Sequence, residues 1–89
     1  MQLVNCVFVT EDTVESAVFD FLNRDEYVEW IKTRVNSLCD SGYYTENEIE
    51  NMFHITTGYA DYPGSWEKAS LPFHTRVMLD EELFRLPIL

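Results

Sequence analysis

The chain has 89 residues, of which 16 are acidic, six are basic and two are histidine, so its formal charge is −10 at pH 7. This length allows one domain, because independent cores rarely form below about 50 residues each. The hydrophobic fraction of 46% and the aromatic fraction of 15% exclude a disordered acidic tail. The negative charge disfavours nucleic-acid phosphates and anionic membranes as partners, since both repel an anion. We therefore expect a single compact acidic domain over residues 1–89, with no direct nucleic-acid or membrane contact.

The sequence shows no targeting or membrane-spanning pattern. No apolar run approaches the ~20 residues that a bilayer requires. Residues 1–13 carry no basic leader ahead of their apolar stretch, so a secretory signal is not expected. We predict a cytoplasmic protein, located in the host cytoplasm if the chain is phage-encoded.

The first 22 residues predict a β-hairpin. Residues 2–9 (QLVNCVFV) are apolar and β-branched, as in a strand. Residues 14–22 (VESAVFDFL) alternate in polarity and are rich in Val and Phe, which favours a second strand paired across Thr10–Thr13. The same segment also fits helical spacing, so a helix is the alternative.

A long helix is predicted next. Asn23 is positioned to cap it with Glu26 three residues later, and Leu22 is positioned to pack on Tyr27. Gly42 is a suitable stop. The apolar stripe of this helix contains Val28, Ile31, Val35 and Leu38.

A capping box formed by Thr45 and Glu48 predicts a second helix. Ile49, Met52 and Phe53 would face the core, and the helix would end before Gly58. Turn residues dominate residues 58–66 (GYADYPGSW), so regular structure is not expected there.

The remaining third of the chain predicts one more strand and a short helix. Residues 73–79 have the composition of a strand, and Asp80 is positioned to cap a final helical turn (EELFRL) that ends at Pro87. The full order is an N-terminal β-hairpin, two central α-helices, a C-terminal β-strand and a short helical turn. That order predicts an α+β fold.

The cysteines and histidines do not indicate a metal or catalytic site. Zinc ligands usually come in close pairs, whereas no two of Cys6, Cys39, His54 and His74 lie within 14 positions of each other. Without a secretory leader, two reduced thiols in apolar surroundings are expected rather than a disulfide. We expect neither a metal nor a cofactor.

Acidic residues are concentrated in the first two thirds of the chain. Residues 1–61 hold 12 acids and three bases, whereas residues 62–89 hold four acids and three bases. Asp25 and Glu29 on the first helix repel each other at a spacing of four, as do Glu46 and Glu50 on the second. The helix dipole explains acids in a first turn, but its effect weakens by Glu29 and Glu50. A solvated acidic face is the ordinary interpretation, and contact with a basic partner is the functional one.

Large aromatic residues provide a second indication of binding. Trp30 lies roughly 120° around the helix from the centre of the apolar stripe, which places it either at the core boundary or exposed, near Arg34. Tyr and Trp on adaptable backbone are typical of protein-binding surfaces. The segment from residue 59 to residue 66 offers Tyr59, Tyr62 and Trp66, together with Asp61. For Trp66 alone, covering the core is the more ordinary role.

Motifs for catalysis are absent from the sequence. It contains no Gly-rich phosphate loop, no Ser nucleophile elbow and no paired metal-ligand motif. A chain of this length also leaves little room for a deep pocket. We therefore predict that the protein is not an enzyme.

Two functional hypotheses follow from the composition. The first is an acidic inhibitor or regulator that binds the basic surface of a nuclease, a restriction or CRISPR complex, or a polymerase. Small acidic phage anti-defence proteins (anti-CRISPR proteins among them), DNA mimics and nuclease-immunity proteins are similar in composition, without a shared motif. The alternative is a homo-oligomeric assembly or adaptor protein whose acidity only provides solubility. It would form a homodimer through the apolar tail at residues 86–89 or through an open strand edge.

Overall fold

The computed structural model describes residues 1–69 and residue 71. Its elements, in chain order, are β1 (Gln2–Val9), β2 (Val14–Asp20), α1 (Arg24–Ser41), α2 (Glu46–Met52), β3 (Phe53–Tyr59) and β4 (Tyr62–Lys68). The strands form one antiparallel sheet in the order β2-β1-β3-β4. The predicted α+β class is confirmed. The strand predicted at residues 73–79 and the helical turn predicted after Asp80 lie outside the described residues.

The core lies between the two helices and one face of the sheet. Alternation along the two central strands turns one set of side chains toward the helices, where they are buried. On β1 and β3 these include Val4, Cys6, Phe8, Phe53 and Ile55; from the helices come Val28, Ile31, Val35 and Ile49. The opposite face of the sheet carries no helix among the described residues.

The N-terminal hairpin is confirmed, and residues 14–20 form a strand rather than a helix. Seven consecutive residue pairs join β1 and β2 without a bulge, from Leu3 opposite Asp20 to Val9 opposite Val14. The turn is closed by Thr10, whose N–H donates to the carbonyl of Thr13 at 2.9 Å. The alternation of polar and apolar residues in residues 14–20 was therefore the correct indication, although the same residues also fitted helical spacing.

Helix α1 has the predicted bounds, but the side-chain contacts predicted at its start are not formed. Asn23 is the N-cap residue, yet its side chain makes no capping hydrogen bond. Leu22 is 85% exposed, so the predicted contact with Tyr27 is wrong. The Tyr27 hydroxyl instead donates to the Phe21 carbonyl at 3.1 Å, which ties the helix to the end of β2. Gly42 ends the helix as predicted, in the left-handed conformation with φ of 71°.

The capping box of α2 is confirmed in both directions. The Glu48 N–H donates to Thr45 Oγ1 at 3.2 Å, and the Thr45 N–H donates to Glu48 Oε1 at 3.1 Å. The prediction that this helix continues to Gly58 is wrong, because α2 ends at Met52 and residues 53–57 belong to β3. Phe53 is buried as predicted, but on a strand. Neither this seven-residue helix nor α1 is long and apolar enough to cross a membrane.

The prediction that residues 58–66 lack regular structure is wrong. They form most of a hairpin in which Tyr59 lies opposite Tyr62 across Ala60 and Asp61. Gly58, which resembled a turn signal, is required instead because Trp66 packs against its backbone. An added Cβ at Gly58 would lie 2.7 Å from Cδ2 of Trp66, whose indole lies over this position.

Thr57 gives a direct test of this packing. Its side chain is fully buried on the helix-facing side of β3, and its hydroxyl has no hydrogen-bond partner among the described residues. Because an unsatisfied buried hydroxyl is destabilising, Thr57→Val should raise the free energy of unfolding by about 1 kcal/mol. Urea denaturation measures this change. A loss of stability would mean that the hydroxyl is hydrogen-bonded in solution.

Candidate protein-binding surface

The topology separates the predicted binding residues between two ends of the sheet. Strand β3 begins opposite Phe8 and ends opposite Gln2, a span of about 20 Å at the usual rise per residue. Helix α1 begins near the Gln2 end, because the Phe21 N–H donates to the Gln2 carbonyl at 3.0 Å. Helix α2 leads directly into Phe53 at the other end. The acids at the start of α1 and those of α2 therefore do not form one continuous patch.

The Gln2 end carries what we call the first acidic surface, which contains Asp25, Glu29, Tyr59, Asp61 and Tyr62. Asp25 and Glu29 are exposed in the first two turns of α1, and Asp61 is exposed in the β3–β4 turn. No ion pair within the described part of the chain joins Asp25 or Glu29 to a basic side chain. Their charges are therefore available to a basic partner.

Two tyrosines form an ordered pair at this end. The rings of Tyr59 and Tyr62 meet edge to face, with centroids 6.4 Å apart and an interplanar angle of 89°. The hydroxyl of Ser65 fixes the backbone around them, accepting from the Tyr59 N–H at 2.8 Å and donating to the Tyr62 carbonyl at 2.6 Å. Tyr62 is nevertheless 65% exposed. A large ring already held in place can bury area in a complex at low entropic cost.

Trp30 lies at the core boundary beside Arg34, as predicted. Its indole is half-buried and packs edge to face with the ring of Phe19, with ring centroids 6.4 Å apart. The Arg34 guanidinium lies 3.8 Å above the indole ring, within the range of a cation–π interaction. Arg34 also donates through Nη2 to Glu15 Oε1 at 3.1 Å. The indole is thus partly covered by the protein's own arginine, which reduces the area left for a partner.

We expect Trp30→Ala to lower the free energy of unfolding by about 1–2 kcal/mol, less than the 3–5 kcal/mol of a fully buried tryptophan. Urea melts of this variant and of Trp30→Phe, which retains a ring below Arg34, measure the effect. A loss above about 3 kcal/mol would show that the indole acts as a core residue.

The other end carries a second acidic surface, which consists of Glu46, Glu48 and Glu50 with Tyr43 and Tyr44. The three glutamates are exposed on α2. Tyr43 is 85% exposed in the loop before them. Sequence reasoning missed this tyrosine as a binding candidate. Its position just after the helix stop at Gly42, next to a polar capping box, could have indicated an exposed ring.

Trp66 lies close to Tyr59 of the first acidic surface but on the face of the sheet opposite the helices. It is half-buried on the face of the sheet that the helices leave open, above Gly58. Strand β4 positions it there, because Gly58 shares that face with its β1 partner Leu3. Trp66 therefore packs on the sheet itself and does not cover the helix-facing core.

Both cysteines are reduced thiols, as expected, and Cys6 is fully buried. Burial raises the pKa of the Cys6 thiol to about 12, against a smaller opposing effect of Arg34. A thiol of this kind stays protonated and unreactive near neutral pH. Within residues 1–69 and 71, no group of three or more His, Cys, Asp or Glu side chains is arranged to hold a metal ion.

Comparisons with protein-family models, with curated protein sequences and with solved structures found no match for this chain.

Proposed function

We propose that this protein is a non-enzymatic inhibitor or regulator that binds the basic surface of a nucleic-acid-handling protein, such as a nuclease, a restriction or CRISPR complex, or a polymerase. In this role it is a DNA mimic of the phage or mobile-element type, and it acts in the host cytoplasm without a cofactor. The observation that carries the proposal is the first acidic surface, where Asp61 adjoins the exposed Tyr62 and the exposed carboxylates of Asp25 and Glu29 lie at the same end of the sheet.

The charge density of this surface supports the mimicry. Asp25, Glu26 and Glu29 are all exposed at the start of α1. At 1.5 Å per residue they span about 6 Å of helix axis, or roughly one charge per 3 Å. One strand of duplex DNA carries a phosphate about every 3.4 Å along its axis. The average density of negative charge along the start of α1 is therefore similar to that along one DNA strand.

The tyrosine pair supplies the contact that charge alone does not. Surface ion pairs contribute little affinity, because both groups remain hydrated and salt screens them. Buried aromatic anchors contribute most of the binding energy in many interfaces. Tyr62, exposed beside Asp61, is the residue of this surface best placed to bury area against a partner.

The proposal is tested by affinity capture from the host lysate, washed at about 0.05 M and then about 0.5 M NaCl, because exposed ion pairs are screened at high salt. We expect a basic nucleic-acid-binding protein in the high-salt eluate. The Asp25→Lys/Glu29→Lys protein serves as the matched bait and should not retain it. Capture of the same proteins by both baits would contradict the proposal.

A further inference from the structure

Among the described residues, the outer edge of β2 is open, and it lacks several of the usual protections against strand pairing. No described strand pairs with it, and Val14 and Val18 are both exposed. Natural edge strands are normally protected by charged side chains, above all lysine, by proline, by a bulge or by very short length. Strand β2 has seven residues with neither lysine nor proline, and its register with β1 is uninterrupted. Its two charged side chains are both engaged within the chain, because Glu15 pairs with Arg34 and Asp20 accepts from the Leu22 N–H.

The opposite edge of the same sheet provides an internal comparison. Strand β4 contains Pro63 and Lys68, and its pairing with β3 shifts register between Thr57 and Tyr59. These are the devices that block edge-to-edge association. One edge of the sheet is therefore protected and the other is not.

We propose that the β2 edge pairs with the β2 edge of a second copy of this chain, antiparallel about a two-fold axis at Ala17. The result is a homodimer with one continuous eight-stranded sheet. Both β2 edges are occupied in this dimer, and the β4 edges carry proline, lysine and a register shift. The assembly therefore closes at two copies and does not extend into a fibre. This inference does not depend on the proposed function.

The hydrogen bonding of β2 is compatible with this register. The Phe21 N–H donates to β1 at Gln2, so Glu15, Ala17 and Phe19 also direct their backbone groups toward β1. The backbone groups of Val14, Ser16 and Val18 therefore point to the open edge, as does the N–H of Asp20, whose carbonyl already accepts from Asn23.

Antiparallel pairing about Ala17 places Ser16 of each copy opposite Val18 of the other, and Val14 opposite Asp20. This arrangement allows about six hydrogen bonds between the two strands by the alternating antiparallel pattern. Ala17 lies opposite its own copy at a non-hydrogen-bonded position, where the backbones approach most closely. A small side chain suits that position.

The charge distribution permits a second copy at this edge. Each chain carries −10, so two copies can meet only where few acids oppose each other. In this register Glu15 lies opposite Phe19 of the other copy, and the two Glu15 residues are about 14 Å apart, beyond the screening length at physiological salt. Arg34 already neutralises Glu15 at 3.1 Å. Asp20 and the turn residue Asp12 lie at the two margins of the contact, where salt screens their repulsion.

Sedimentation velocity of the purified full chain tests the dimer. At about 100 µM protein we expect a species of twice the chain mass, whose fraction rises between about 0.05 and 0.3 M NaCl as charge repulsion is screened. A single-chain mass at every salt concentration would overturn the proposal.

Three variants locate the contact. Ser16→Pro removes only an outward N–H, and Val18→Lys adds the missing edge lysine; both should sediment as monomers, with circular dichroism confirming that they remain folded. Asn5→Lys is the matched control, because it adds the same charge to the open sheet face one strand away and should leave the dimer intact. Dissociation by Asn5→Lys, with the dimer retained in Val18→Lys, would place the contact on the face and overturn the edge assignment.

Discussion

The double variant Asp25→Lys/Glu29→Lys should weaken the complex with the basic partner by about 100-fold, most of it through slower association at low salt. Both side chains are exposed on α1, so the substitutions replace attraction by repulsion at the contact without disturbing the core. Surface changes of this kind usually alter stability by less than about 0.5 kcal/mol. Association and dissociation rates with the captured partner, measured at two salt concentrations, give the effect.

The matched control is Glu46→Lys/Glu50→Lys on α2. It produces the same change in net charge at the other end of the sheet. We expect only a few-fold loss, because long-range steering weakens while the contact remains. Equal losses in the two double variants would mean that net charge alone drives binding. A larger loss in the α2 variant would place the contact on the second acidic surface.

Gly58→Ala should lower the free energy of unfolding by about 2–3 kcal/mol, as overpacking does. The added Cβ would lie 2.7 Å from Cδ2 and 2.9 Å from Cα of Trp66. The second distance involves backbone, so a rotation of the indole cannot relieve the clash completely. For a domain of this size, with a stability on the order of 5 kcal/mol, such a loss is a large fraction of the total.

Gly64→Ala is the control on the same hairpin, since a Cβ there meets no atom within 4 Å. It should leave stability within about 0.5 kcal/mol of the wild-type value. In a Trp66→Leu background the cost of Gly58→Ala should fall without disappearing, which a double-mutant cycle detects. Equal costs at Gly58 and Gly64 would refute the packing of Trp66 over β3.

The elements predicted from sequence are those specified by neighbouring residues. Thr45 and Glu48 satisfy each other's backbone within one helical turn, and Gly42 ends α1 by its own conformation. Alternation along β2 identified a strand because one face of it is packed. For Thr45, Glu48 and Gly42 the determining contacts lie within a few residues along the chain, whereas for β2 the alternation alone revealed a face that packs on a distant helix.

The features that were missed depend on contacts across strands. Gly58 and Pro63 resemble a loop until Trp66 is placed above Gly58, and Pro63 is tolerated because β4 is an edge strand. The predicted binding residues could not be grouped from sequence for a similar reason. Helical spacing places Asp25 with Glu29 and Glu46 with Glu50, but only the sheet register shows that the pairs lie at opposite ends.

Competition with nucleic acid is the most direct test of the central claim, that the first acidic surface occupies a nucleic-acid-binding site. The purified partner is bound to the immobilised protein and titrated with duplex DNA or RNA of the kind that the partner handles. We predict full displacement, with the apparent affinity of the protein falling in proportion to nucleic-acid concentration, because both ligands need the same basic side chains. A ternary complex that retains the protein at saturating nucleic acid would contradict the claim.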